Sequence, residues 1–335
     1  MVRCWPSCRE IARMLGDTMR LPLLAVAATR VSLVAGFTML CCSPAAAQRI
    51  DYSKLEIKTT DLGHGVYLLG WQGGDSLILV GDDGVLLVDT SVAPMGDKIK
   101  TAIARVSDKP IRLIINTHAH ADHFGANEAL AKRGAGIIAH DNLRERMAKG
   151  QYLAAFNQTI PPSVPAALPT VTYADAMTIH FDGETVQLFH PPNAHTDNDT
   201  LVHFKRANVI HASGTIGGDG GYPFFDMSSG GSLAGMIVAE DKMLSLADDK
   251  TKIVADEGDP ASTETLKASR DMLVTLRARV QRLIDEGKSE DEAVATKPTK
   301  DFDGKWVHQG NFVTGDTMTR LAYQSLKGVR PPTAP

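Results

Sequence analysis

Apolar residues first gather in three short runs, GVYLLG from Gly65, SLILVG from Ser76 and VLLVDT from Val85, and their length predicts three strands. Gly81 to Gly84 reads Gly-Asp-Asp-Gly, a hairpin turn between the last two, so the fold opens antiparallel. A helix is then predicted from about Gly96 to Val106, a strand at IRLIIN from Ile111, a helix from Gly125 to Arg133 and a strand at GIIAH from Gly136. Gln151 to Pro169 has four prolines and no charged residue, which predicts a long loop over one edge. Strands resume at MTIHF, TVQLFH, TLVHF and ANVIHA. Leu266, Leu273, Leu276, Val280 and Leu283 then recur at helical spacing as far as Gly287. That stripe predicts a long helix packed onto its own sheet, a simpler use than a dimer interface.

The 335 residues, 43% apolar and 22% charged, suit a soluble globular protein. Residues 1–47 read differently. Arg3, Arg9, Arg13, Arg20 and Arg30 form a basic lead, VSLVAGFTML follows from Val31, and Ala45-Ala46-Ala47 has the small-residue form of a signal-peptidase site. Arg30 would be costly inside hydrocarbon, so a cleaved signal peptide is expected rather than a stable membrane anchor. The expectation is an exported protein, periplasmic or secreted, with one domain over 48–335 that ends in a helical segment from about 263. Met14 or Met19 is an alternative initiator.

Removing the lead leaves 30 basic and 37 acidic residues, a net charge of −7, which disfavours nucleic acid and anionic membrane as partners. Cys4, Cys8, Cys41 and Cys42 all go with it. The mature chain then has no disulfide, thiolate ligand or cysteine nucleophile.

The chemistry concentrates at NTHAHADH, Asn116 to His123, directly behind the apolar run IRLII. On an extended backbone His118, His120 and Asp122 fall at i, i+2 and i+4 and point to one side, as a metal site at a strand end requires. Three imidazoles around zinc leave an open position for water. The best third ligand is His195 in NAHTDNDTLVHF, also at a strand end, whereas His190 and His203 are read as structural.

The strand LLVDT with Asp89, the motif HAHADH, the later AHTDNDT and the β-then-α order together resemble the metallo-β-lactamase superfamily of zinc hydrolases, over about Val66 to Leu326. The resemblance implies an αβ/βα four-layer sandwich with metals at the sheet edges. It implies that His118, His120 and His195 hold a first zinc, that Asp122 and His123 serve a second, and that Asp89 braces the histidine loop. Two places depart from the pattern. Where relatives often carry a bridging aspartate, this chain has Ser213-Gly214-Thr215, and Asp219 and Asp226 reach the site only if the glycine-rich loop folds back. Where relatives place a last histidine, KIVADEGDP puts Glu257, which is expected as the second metal's oxygen ligand.

The implied function is hydrolysis of a small-molecule amide or ester carbonyl by a zinc-bound hydroxide, with Asp122 orienting water and moving its proton. Backbone amides of Ser213 to Gly221 are expected to stabilise an oxyanion, and Trp71 to act as an apolar flap or a core residue. A β-lactam is the first expectation for the substrate. Lactones, thioesters and other esters are the alternatives within the class, and a non-catalytic exported metal-binding relative is the alternative outside it. One zinc is expected firmly and a second as possible; the oligomeric state is not legible.

Overall fold

The computed structural model describes residues 51–71, 73–308 and 312–329. The expected signal segment and all four cysteines lie outside them. Four antiparallel strands come first: β1 (Lys58–Gly63), β2 (Val66–Gly70), β3 (Ser76–Gly81) and β4 (Gly84–Val88). Every residue of β4 is buried, as its unbroken apolar run requires of a strand covered on both faces. Helix α1 (Gly96–Ala104) leads to β5 (Ile111–Ile115), and the short helices α2 (Ala121–Phe124) and α3 (Asn127–Ala131) lead to β6 (Gly136–His140). Beyond β4 the sheet turns parallel.

Helix α4 (Asp141–Lys149) follows, and then the predicted loop. It contains a small hairpin, β7 (Gln151–Leu153) and β8 (Gln158–Ile160), so the expectation of a bare loop is corrected there. Asn157 turns the hairpin at φ 47° and accepts the Tyr152 hydroxyl at 2.8 Å. Asparagine is among the few residues that tolerate this left-handed backbone, and the prolines obscured the signal. β9 (Val171–Tyr173) then completes a seven-stranded sheet in the order β1-β2-β3-β4-β5-β6-β9.

The second sheet has the order β10 (Ala176–Phe181), β11 (Glu184–Phe189), β12 (Leu201–Phe204), β13 (Val209–His211) and β14 (Lys252–Val254). Only its last pair is parallel. Helix α5 (Leu233–Leu246) precedes β14, and α6 (Thr263–Asp285), α7 (Glu290–Ala295), α8 (Lys300–Trp306) and α9 (Gly315–Leu326) close the described chain.

Three apolar layers define the packing. Leu77, Leu86, Ile115, Val186, Val202 and Phe204 join the two sheets face to face. The outer face of the first sheet buries Ile78, Leu87 and Ile114 against Met95, Ile99 and Leu130 of the first helices. The outer face of the second buries Leu201, Ile210 and Ile253 against Met243 and Leu266. This is the αβ/βα four-layer sandwich that the family resemblance implied.

The long stripe behaves differently from expectation. Only Leu266 meets the sheet, while Leu273, Leu276 and Val280 pack with Met236 of α5 and Met318 and Ala322 of α9. At 23 residues, α6 outruns the sheet edge and needs helical partners of its own. No helix among the described residues is long and apolar enough to cross a membrane.

Candidate metal centre

Parallel strands deliver their following loops to one edge, and the candidate residues gather there. Asp89 directly follows β4, the octet Asn116 to His123 directly follows β5, and Gly214 and Asp256 follow β13 and β14. Asp89 N donates to Ile115 O and Ala212 N to Val254 O, both at 2.8 Å, which keeps each pair of loops in step. Thr200 N donates to Thr117 O at 2.8 Å and stitches the second sheet to the histidine loop.

His118, His120 and His195 come together as a buried group. Each has its outer nitrogen committed. His118 Nδ1 lies 3.1 Å from Thr117 Oγ1, whose own proton goes to Asp89 Oδ2 at 2.6 Å. His195 Nδ1 donates to the Phe224 carbonyl at 2.7 Å, and His120 Nε2 donates to Asp226 Oδ2 at 3.2 Å. The inner nitrogens therefore carry lone pairs, and His120 Nδ1 stands 3.1 Å from both His118 Nε2 and His195 Nε2. Three converging lone pairs repel unless a cation lies among them. Their spacing is close to the edge, about 3.3 Å, of a tetrahedron whose Zn–N bonds are about 2.0–2.1 Å. Burial, reinforced by His123 and His195, holds His118 well below the ordinary histidine range, and burial with His120 pushes His195 down to about 4. Both are thus neutral at neutral pH, the form a metal needs. The residues fit zinc.

The second cluster is richer in oxygen. His123 Nδ1 donates to Asp89 Oδ2 at 2.7 Å, leaving Nε2 to face Asp122 Oδ2 at 3.6 Å and Asp256 Oδ2 at 3.7 Å. Burial opposes a charge on His123, but Asp256, Asp122 and Asp89 outweigh it and lift the group to about 10. That negative field suits a dication as it suits a proton. His118 also lies within reach of His123 and Asp256. With one lone pair available it belongs to the first cluster.

Glu257, expected as the oxygen ligand, is not brought to His123. Its neighbour Asp256 is. Both acids lie in the bend after β14, and of the two it is Asp256 whose carboxylate stands beside His123 Nε2, at 3.7 Å. Asp256 O accepts from Asp75 N at 2.6 Å, which fixes that choice. Glu257 lies against Gly218 and, with Asp75, Asp219 and Trp71, lines a cavity of about 630 Å³ beside the centre. Burial, followed by Asp219 and Asp256, raises its pKa.

Other expected residues are placed as follows. Asp89 braces the histidine loop through both oxygens, since Oδ1 also accepts Thr117 N at 2.8 Å. Ser213 is buried at φ 52°, and its hydroxyl donates to Thr117 O at 3.3 Å. Thr215 is buried, with its hydroxyl donated to Ala212 O at 2.5 Å. Gly214 holds φ +72° in tight contact with His195. In the loop expected to stabilise an oxyanion, the amides of Ser213, Thr215, Asp219 and Gly221 donate within the protein. Trp71 packs at the edge of the helix-covered core, 6.1 Å from the Tyr52 ring, so it is both core and cavity wall.

Several further groups support the histidines, Asp226 by the conditional path and the others not singled out from sequence. Asp226 does reach the centre, because the glycine-rich loop folds back and Asp226 N donates to His195 O at 2.8 Å. Burial raises its pKa, but hydrogen bonds from His120, Ser228 and Ser229 prevail and lower it. Asn198 Oδ1 accepts Ala119 N at 2.8 Å, and Asp199 accepts the Thr196 amide and hydroxyl at 2.9 and 2.6 Å. The dense polar string AHTDNDT, Ala194 to Thr200, was the available signal for both. His211 is fully buried, accepts Ser213 N at Nδ1 and leaves Nε2 without a partner.

Comparison with known proteins agrees with this architecture. A family model described as the metallo-β-lactamase superfamily matches residues 69–281. A curated relative, the 2,4-dinitroanisole O-demethylase subunit alpha of Nocardioides sp. (strain JS1661), is 26% identical over 144 residues, 42% of this chain and 40% of that protein. The chain thus matches well under two thirds of that relative's length. Among solved structures, the sec-alkylsulfatase Pisa1 from Pseudomonas sp. aligns with TM-score 0.62 and 18% identity over 82% of this chain and 51% of its own. A metallo-β-lactamase from Pontibacter korlensis aligns with TM-score 0.53 and 18% identity over 65% of this chain and 99% of its own.

Proposed function

We propose a function from one premise: the chain belongs to the metallo-β-lactamase superfamily. It is a metal-dependent hydrolase of a small molecule with an ester or amide carbonyl, and the reading is carried by the three inward lone pairs of His118, His120 and His195. A zinc ion held there would polarise the scissile group and acidify water toward neutral pKa. The protein's own groups prepare the rest. Thr117, Phe224 and Asp226 fix the three tautomers from outside. Asp122 has a side chain 44% exposed, against 22% for Asp256, so it is the carboxylate placed to take a proton from water entering the cleft. Asp256 and His123 would hold a second ion more weakly, and their oxygen-rich set also suits manganese or iron.

β-Lactams stay within this class without a special claim on it. The Ser213 hydroxyl, which stands where relatives often carry a bridging aspartate, is spent on Thr117 O inside the protein. The test is to assay purified protein of known zinc content against a chromogenic cephalosporin, an aryl ester, a lactone and a thioester. Turnover of any of these that disappears on chelation supports the reading. Firm zinc binding with no turnover of all four would favour a non-catalytic metal-binding protein. Export to the periplasm or medium is part of the same proposal, resting on the basic lead and Ala45-Ala46-Ala47.

A further inference from the structure

We propose that Phe156, Phe224 and Phe312 form a subsite for an aryl or alkyl group of the substrate beside the three-histidine centre. This rests on the hydrolase reading above and names the substrate class it takes. The three rings come from distant segments: the turn of the β7–β8 hairpin, the loop before α5, and the stretch between α8 and α9. They touch one another, with centroids 5.8 Å apart for Phe156 and Phe224, 5.2 Å for Phe156 and Phe312, and 5.3 Å for Phe224 and Phe312. Yet Phe156 is 47% and Phe312 53% exposed. Large rings that converge but stay open to water form an apolar patch of the kind that marks a binding surface.

Its position assigns the occupant. The Phe224 carbonyl fixes His195, and its ring centroid lies 5.9 Å from the His195 ring. A group resting on the patch is therefore next to the first cluster, as a substituent of the bond being cleaved must be. Helix α8 packs against the loop that carries Phe224. Trp306 is buried and stacks on Tyr222 with centroids 6.4 Å apart, Tyr222 N donates to Trp306 O at 3.0 Å, and the Tyr222 hydroxyl donates to Asp303 Oδ1 at 2.9 Å. These contacts tie α8 to the loop bearing Phe224. Phe312 lies beyond residues 69–281, which the family model matches.

The test compares F156A/F312A with V238A, which removes an equally exposed apolar residue on α5. Titration with the fluorescent apolar probe anilinonaphthalene sulfonate should weaken roughly tenfold in the double variant, since two ring faces are lost, and stay unchanged in V238A. Phe312→Trp, which keeps a large ring, should retain binding. With p-nitrophenyl octanoate and acetate, the octanoate-to-acetate ratio of kcat/KM should fall by a similar factor through KM. Weakened probe binding, with no turnover by the wild type of either ester or of the cephalosporin, lactone and thioester, would leave the subsite standing while the hydrolase reading falls. Equal probe binding in F156A/F312A and V238A overturns the proposal. So does a wild-type dimer that F156A/F312A abolishes while probe binding is unaltered, because the patch would then serve a second copy.

Discussion

A Cβ on Gly214 would lie 2.8 Å from Oδ2 of Asp256, so these two positions compete for one volume between the metal clusters. The strand end after β13 gives up its side chain, and the strand end after β14 supplies a carboxylate. Gly214→Ala would also press on His195 Cδ2 at 2.6 Å and adopt φ +72°, a conformation costly for alanine. We expect zinc affinity to fall at least roughly tenfold and stability by about 1–3 kcal/mol. Zinc titration and thermal melting check both effects.

Asp256→Asn should weaken the second metal specifically, because it removes the charge facing His123 Nε2 at 3.7 Å. Glu257→Gln should not, since Glu257 lines the cavity outside that cluster. Metal stoichiometry by elemental analysis separates the two. Equal loss in both variants would return Glu257 to the ligand set.

Asp226→Ala removes the acceptor that keeps the proton of His120 on Nε2. Losing such an outer partner typically costs about 10–100-fold in metal affinity. The expected result is weaker binding with His118, His120 and His195 all intact, measured by competition with a chromophoric chelator.

Glu240 on α5 is fully buried, with one oxygen accepting Ser269 Oγ at 2.8 Å and the other unpartnered. Burial, with a smaller push from Asp241, raises its pKa well above 4.5. The folded protein therefore binds this proton more tightly than the unfolded chain. The associated stability is complete below about pH 4.5 and is lost as pH rises through the folded pKa. Glu240→Gln has no proton to lose there. Its Tm should exceed that of the wild type at about pH 8, and the gap should close by about pH 4.

The sequence made contiguous features legible and left adjacent and distant ones open. The octet after β5 could be read because strand periodicity aims His118 and His120 together, and His195 because its polar motif sits at another strand end. Asp256 and Glu257 differ by one position, and the turn after Val254 that decides between them depends on Asp75, far away in the chain. Asp226 depends on the path of a glycine-rich loop, which local propensity does not fix. The helical stripe was legible as a helix, but its partners α5 and α9 are a tertiary choice.

The central claim is that the lone pairs of His118, His120 and His195 converge on a metal on which hydrolysis depends. Titrating zinc into chelator-stripped protein, with bound metal and turnover of whichever test substrate is cleaved read in the same samples, tests it most directly. We predict that turnover appears with the first zinc equivalent in the wild type, and that His195→Ala lacks both that tight equivalent and the turnover. Full turnover in stripped protein, or an unchanged first equivalent in His195→Ala, would contradict the account.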